Sequence, residues 1–150
     1  MKAMTARNTL VSLLLFLGVG AMGGGAFLII SPSGELIGSL PLSILEHSPF
    51  ASFLIPGVIL FLILGLAPCL TAIALIKKPK SRLAEKLNLF KDMHWAWSFS
   101  IYIAFALIIW IQVETIFVQG VGWLQTFYML YSIPLLVVAL LPQVRAIYKK

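Results

Sequence analysis

Four long runs of apolar residues, separated by shorter polar segments, dominate the pattern of the chain. Each run reaches roughly the 20 residues that an α-helix needs to cross the hydrocarbon core of a bilayer. Strands are not expected at these lengths, and only helices or closed barrels satisfy their backbone hydrogen bonds in lipid. The pattern therefore predicts an all-α integral membrane protein. Its single domain, residues 1–150, contains spans at about 8–30, 51–76, 95–118 and 123–141.

Two of the polar segments have recognisable character. The outer loop, residues 31–50, has no lysine or arginine and several apolar residues, so we expect it to lie in the membrane interface. The basic loop, residues 77–94, offers Ser81 as an N-cap for a short helix. Leu83, Leu87 and Phe90 follow at helical spacing and predict an amphipathic helix lying on the membrane.

The distribution of positive charge predicts the orientation. All 11 basic residues precede span one, lie in the basic loop or follow span four. Lysine and arginine are enriched in cytoplasmic segments, so we predict an up-down-up-down four-helix bundle with both termini cytoplasmic, N-in and C-in. The basic residues cluster beside the spans, which favours anionic lipids of the bilayer over nucleic acid as a partner. The predicted lipid contacts of the basic loop are Lys77, Lys78, Lys80, Arg82, Lys86 and Lys91.

Composition excludes a soluble fold, because 61% of the residues are hydrophobic and only 11% are charged. The single cysteine, Cys69, excludes a disulfide-exchange enzyme that needs a resolving thiol. Residues 1–26 also resemble a secretory signal peptide, whose cleavage would leave three spans. The apolar length of span one favours a retained helix. Gly20 and Gly24 form a small-xxx-small pair, typical of close helix packing inside one chain or within a homo-oligomer or another membrane complex.

Glu114 is the only charged residue within a predicted span, and such residues usually face a bundle interior or a cavity. Trp110 lies one helical turn before it. Span four returns antiparallel, so Gln125, Tyr128 and Ser132 form a polar stripe that we expect to face Glu114. Glu46 and His47 of the outer loop would close this site from outside. The alternative is that Glu114 only packs helices together or reaches the interface.

No complete catalytic, metal-binding or cofactor-binding motif occurs in the sequence. Glu46-His47 and Asp92-Met93-His94 lack the spacing of a zinc or di-iron site, and we expect no metal and no cofactor. The leading hypothesis is a non-enzymatic membrane protein that binds an apolar or lipid-like ligand, or a partner subunit, near the outer ends of spans three and four. The alternatives are a proton-coupled transporter component using Glu114 and a lipid-modifying enzyme at the outer surface.

A further expectation comes from five short stretches of sequence. They are Gly23-Gly24, Ser31-Pro32-Ser33-Gly34, Ser48-Pro49-Phe50, Phe53-Leu54-Ile55-Pro56-Gly57 and Trp110-Ile111-Gln112-Val113-Glu114. In these the chain resembles small uncharacterised bacterial four-helix membrane proteins over most of its length. The resemblance implies a helical bundle in the bacterial cell (inner) membrane, and it implies no activity and no functional residue. A similarity to DoxX-like proteins lies in size and layout alone.

Overall fold

The structure is a computed structural model that describes residues 2–31, 49, 51–118 and 122–150. Within these ranges it is helical, and four of the helices are long and apolar enough to cross a membrane. The predicted all-α class and the four span-length helices are therefore confirmed. The helices are α1 (Ala3–Ile30), α2 (Leu54–Lys77), α3 (Arg82–Lys86), α4 (Trp95–Val118), α5 (Trp123–Leu140) and α6 (Pro142–Tyr148).

The ends of these helices differ from the predicted span limits. A helix can continue past the apolar run, because polar residues also adopt helical backbone. Helix α1 begins at Ala3, five residues before the predicted Asn8, and includes Arg7. Hydropathy measures the length that lipid can cover, whereas a helix extends as long as its backbone hydrogen bonds continue. At the start of the second span the effect is opposite. Residues 51–53 form bends, and the helix begins at Leu54.

Helix α2 changes its winding in the middle of the span. Residues Leu60–Leu66 form a π-helix between two α-helical parts, and the amide of Ala67 bonds to the carbonyl of Leu62, five residues earlier. Pro68 follows directly. Its ring clashes with the carbonyl four residues before it and it has no N–H to donate, so the preceding turn widens. Pro134 has no such effect, because α5 remains α-helical on both sides of it.

Helices α1 and α2 pack at very short range through glycine. A Cβ atom on Gly18 would lie 2.7 Å from the carbonyl oxygen of Gly65, and one on Gly25 would lie 2.8 Å from that of Gly57. The pairs run in opposite order along the chain, so the two helices are antiparallel. The predicted pair Gly20 and Gly24 does not make this contact. Gly20 is exposed and Gly24 meets only a leucine methyl at ordinary distance.

The remaining long helices complete a closed set of contacts. Helix α1 packs against α2 and α5, α2 packs against α4, and α4 packs against α5. The hydroxyl of Tyr131 on α5 donates a 2.6 Å hydrogen bond to the carbonyl of Leu13 on α1. Large apolar side chains that point away from the other helices remain exposed, as expected where lipid covers them. The fully buried leucines between the helices include Leu10, Leu14, Leu17, Leu64, Leu75, Leu107 and Leu135.

The basic loop contains a shorter helix than predicted. Ser81 is the N-cap of α3, as predicted, and its hydroxyl accepts a hydrogen bond from the amide of Ala84 at 3.3 Å. The helix ends at Lys86, however, so the prediction that it continues to Phe90 is wrong. Asn88 explains the end, because its side-chain oxygen bonds to the amide of Phe90 and replaces a helical hydrogen bond.

Candidate functional site

Glu114 lies near the far end of α4, 19 residues after Trp95, which is about 28 Å along the helix axis. It is partly exposed. Its carboxyl group has neither a hydrogen bond nor an ion pair with any residue in the part of the chain that the structure describes. The neighbouring hydroxyl of Thr115 is used locally, because it donates to the carbonyl of Ile111 at 2.8 Å. Glu114 is therefore an acid in a long apolar helix, with no polar partner in the described ranges.

Trp110 is a near neighbour of Glu114 by helix geometry. It lies four positions earlier on the same face of α4 and packs, partly buried, against the apolar core. Its large aromatic surface next to an acid is a combination that suits an amphipathic molecule. The structure thus keeps Trp110 and Glu114 together on one helix face.

Gln125 has a local role at the start of α5. Its side-chain oxygen accepts a 2.8 Å hydrogen bond from the amide of Gly122, the N-cap residue of this helix. That amide is one of the donors that helical bonding leaves unpaired, so Gln125 stabilises the helix start. No hydrogen bond joins it to Glu114 among the described residues.

Tyr128 and Ser132, the other members of the predicted stripe, have neighbours other than Glu114. The Tyr128 hydroxyl lies next to Gly20 of α1, 3.3 Å from where a Cβ on that glycine would be. Its ring makes an edge contact with the ring of Tyr131, with centroids 6.2 Å apart. Ser132 is buried, and its hydroxyl donates to the carbonyl of Met129 at 2.6 Å. This part of α5 therefore contacts α1 as well as lying beside α4.

Two predicted site residues, Glu46 and His47, lie outside the described residues. Within the described ranges, histidine, cysteine and acidic side chains do not assemble in groups of three or more that could hold a metal ion. His94, whose spacing from Asp92 did not predict a metal site, immediately precedes α4. Asp92 contributes its carbonyl oxygen to a hydrogen bond from the amide of Lys150 at 2.8 Å.

A polar network at the opposite end of the spans was not predicted from the sequence. It joins the basic loop, the start of α4 and the C-terminal residues. The hydroxyl of Tyr148, which is 1% exposed, donates to the carbonyl of Leu75 at 2.7 Å, and the amide of His94 donates to the carbonyl of Tyr148 at the same distance. One sequence signal existed: Pro79, four residues after Leu75, has no N–H to offer that carbonyl.

His94 is the centre of this network and acts as the N-cap of α4. Its Nδ1 accepts a 3.1 Å hydrogen bond from the amide of Ala96. Nε2 is therefore the protonated nitrogen, and it donates a 3.2 Å hydrogen bond to the carbonyl of Pro79. Burial lowers the pKa of the imidazole below its ordinary value, although the bond to Pro79 and the charge of Glu85 oppose this change. The neutral tautomer therefore satisfies both ring nitrogens.

The cations of the basic loop fall into two groups. Lys78 and Lys91 are used internally: the Lys78 ammonium donates to the carbonyl of Ile147 at 2.9 Å, and that of Lys91 donates to the carbonyl of Glu85 at 2.7 Å. The second group has no side-chain hydrogen bond or ion pair with any described residue and faces the surroundings. It comprises Lys77, Lys80, Arg82 and Lys86.

Comparisons with known proteins do not assign the chain. No family model matches it, and no significant similarity was found to a curated protein or to a solved structure. The functional argument therefore rests on the residues and their geometry.

Proposed function

We propose that the chain is a four-helix membrane bundle with up-down-up-down topology, both termini cytoplasmic, in a bacterial cell membrane. The antiparallel glycine contacts of α1 with α2 support the alternation of direction. So does the bond from the indole nitrogen of Trp97, near the start of α4, to the carbonyl of Ala139, near the end of α5. The confinement of every lysine and arginine to one side supports the orientation.

Within this bundle, we infer that the function is non-enzymatic binding of a lipid-like ligand at the outer ends of α4 and α5. The observation that carries the proposal is the carboxyl of Glu114, which has no polar partner among the described residues although it lies in a helix long and apolar enough to span a membrane. An acid within a membrane span is costly unless it has a polar partner or faces a cavity. A ligand with an apolar body and a hydrogen-bonding head supplies that partner, with Trp110 contacting the apolar body.

The test compares lipids that copurify with the full-length chain and with variants, by mass spectrometry of the extracted lipids per mole of protein. We expect one lipid class to be enriched over the bulk membrane, and Glu114→Leu and Trp110→Ala to remove the enrichment. Ile109→Ala is the matched control, because Ile109 neighbours Trp110 but is 62% exposed on another face. Glu114→Gln keeps a hydrogen-bonding side chain but removes the charge. It therefore shows whether the ligand needs the carboxylate charge or only a hydrogen bond.

Other results would overturn the proposal. Equal lipid profiles in wild type and Glu114→Leu would remove the lipid-binding function, and specific copurification of a protein would replace the ligand with a partner subunit. Proton flux through reconstituted vesicles that Glu114→Gln abolishes would instead assign Glu114 to a proton-coupled transporter component. An unchanged lipid profile together with a lower melting temperature in all Glu114 variants would assign it to helix packing.

A further inference from the structure

The basic loop exposes several large apolar side chains, which is unfavourable for a loop that faces water. Leu83 is 70% exposed, Leu87 is 59% exposed and Leu89 is 80% exposed, all within seven residues. Single exposed leucines are common on protein surfaces, but three in one short segment indicate a surface that contacts something apolar. We call residues 83–90 the leucine segment.

The backbone of the leucine segment is fixed by side chains of α4 and of the segment itself. The hydroxyl of Tyr102 accepts a 2.8 Å hydrogen bond from the amide of Leu89 and donates a 2.9 Å hydrogen bond to the carbonyl of Leu87. The side chain of Asn88, which is buried, accepts from the amide of Phe90 and from the hydroxyl of Ser98. These polar backbone groups are therefore satisfied within the protein while the leucine side chains point outward, as lipid requires.

The same hydrogen bonds give the position of the segment along the bundle. Tyr102 lies seven residues after Trp95, which is about 10 Å along α4. The indole nitrogen of Trp95 donates a 2.9 Å hydrogen bond to the carbonyl of Pro79, near the start of the basic loop. The loop thus folds back beside the span by about two helical turns. Interfacial segments insert their apolar side chains about 5–10 Å into the boundary between headgroups and acyl chains.

We propose that the leucine segment is a preformed wedge inserted into the bilayer leaflet on the side of both termini, where Lys80, Arg82 and Lys86 bind the headgroups of anionic phospholipids. These three cations have no internal partner among the described residues and lie in or next to the segment. Lys78 and Lys91 have internal partners and are not part of the headgroup site. The proposal rests on the membrane topology given above but not on the ligand of Glu114.

The first test measures the depth of Leu89. A nitroxide label is placed on Leu89→Cys or on Lys91→Cys in a Cys69→Ala background, and the full chain is reconstituted in vesicles of phosphatidylcholine and phosphatidylglycerol. We expect the label at residue 89 to be relaxed by oxygen and shielded from a water-soluble nickel complex, and the label at residue 91 to show the reverse. Equal access of the nickel complex to both labels would overturn the wedge.

The second test measures anionic lipid retained by the protein when it is released from the same vesicles into native mass spectrometry. The triple variant K80Q/R82Q/K86Q is compared with K2Q/R145Q/K149Q, which removes the same charge elsewhere on the same side. A juxtamembrane cation changes lipid binding by about fivefold, so we expect the first variant to lose at least about fivefold in retained phosphatidylglycerol and the second to lose much less. Equal losses would indicate general charge attraction and would overturn the headgroup site.

A Glu114→Leu variant separates this proposal from the proposed function. We expect it to leave the depth of Leu89 and the retention of phosphatidylglycerol unchanged, whatever it does at the outer end. A shallow label at residue 89 together with an intact lipid profile at Glu114 would refute the wedge alone. A deep label together with no Glu114-dependent lipid would refute the outer ligand alone.

Discussion

The hydroxyl of Tyr148 donates a buried 2.7 Å hydrogen bond to the carbonyl of Leu75, and so ties the C-terminal helix α6 to the end of α2. Leu75 is among the last residues of α2, where carbonyl groups lack helical partners. Its usual donor would be the amide of the residue four positions later, which here is Pro79 and has no N–H. Tyr148 supplies the missing donor.

We therefore expect Tyr148→Phe to destabilise the protein by about 1–3 kcal/mol, since it leaves a buried carbonyl without a partner. The free energy of unfolding, measured by denaturation in mixed micelles, checks this value. Tyr128→Phe is the matched control: no hydrogen bond of the Tyr128 hydroxyl occurs within the described ranges, so it should change stability little. Equal losses in the two variants would contradict the role of Tyr148.

The same buried phenol predicts sensitivity to alkaline pH. Burial raises the pKa of Tyr148 to about 12, above its ordinary value of 10.0. A raised pKa means that the folded state holds the proton more tightly, so this stabilisation is complete below pH 10 and is lost as pH rises from 10 towards 12. We expect the difference in melting temperature between wild type and Tyr148→Phe to narrow over this interval. A difference in melting temperature that stays constant from pH 10 to pH 12 would contradict this role of the Tyr148 proton.

The contact of Gly18 with α2 predicts a second pair of variants. A Cβ on Gly18 would lie 2.5 Å from the sulfur of Cys69 and 2.7 Å from the backbone oxygen of Gly65, so Gly18→Ala must push the helices apart. We expect a loss of about 1–3 kcal/mol, the usual cost of overpacking. Among the described residues, no atom lies within 4 Å of the Cβ position of Gly23. Gly23→Ala should therefore be neutral or stabilise by about 0.5–1 kcal/mol through helix propensity.

His94 predicts a loss of stability in mild acid. Burial lowers its pKa, and Lys78 and Lys150 act in the same direction while Glu85 opposes them. The stabilisation from neutral His94 is therefore present above the unfolded pKa of about 6.5 and is lost as pH falls below it. Hydrogen exchange of the amides of His94 and Ala96 should accelerate over this range. His94→Asn keeps an N-cap acceptor without a titrating ring, and should remove the pH dependence.

Asn88 and Lys150 should differ sharply in their contribution to stability, although both bond to Glu85. Asn88 is 1% exposed and also holds Met93, Phe90 and Ser98, so Asn88→Ala should cost about 2–3 kcal/mol through unpaired buried groups. The pair of Lys150 with Glu85 lowers the pKa of that carboxyl group but lies at the surface. Lys150→Ala should cost less than about 1 kcal/mol. Thermal denaturation in detergent compares the two variants. Equal losses of stability would contradict the role of buried Asn88 in the hydrogen-bond network.

The polar stripe of α5 shows why the candidate site was only partly predictable. Helical spacing correctly places Gln125, Tyr128 and Ser132 on one face of one helix, because that depends on the helix alone. Which neighbour that face meets depends on the rotation of α5 against both α1 and α4. In the structure the Tyr128 hydroxyl lies by Gly20 of α1, and Gln125 caps its own helix. The isolation of Glu114 from these side chains is a property of packing.

The sequence by itself determined the four apolar helices and the N-cap at Ser81, because hydropathy over about 20 residues and a capping side chain act locally along the chain. Only the tertiary structure decided that Gly18 and Gly25, rather than Gly20 and Gly24, lie against the backbone of α2, and that Tyr148 completes the end of that helix. It also decided that the leucines of the basic loop stay exposed beside Tyr102. These features join residues far apart in the chain, and their energies depend on distances of a few tenths of an ångström that no local pattern encodes.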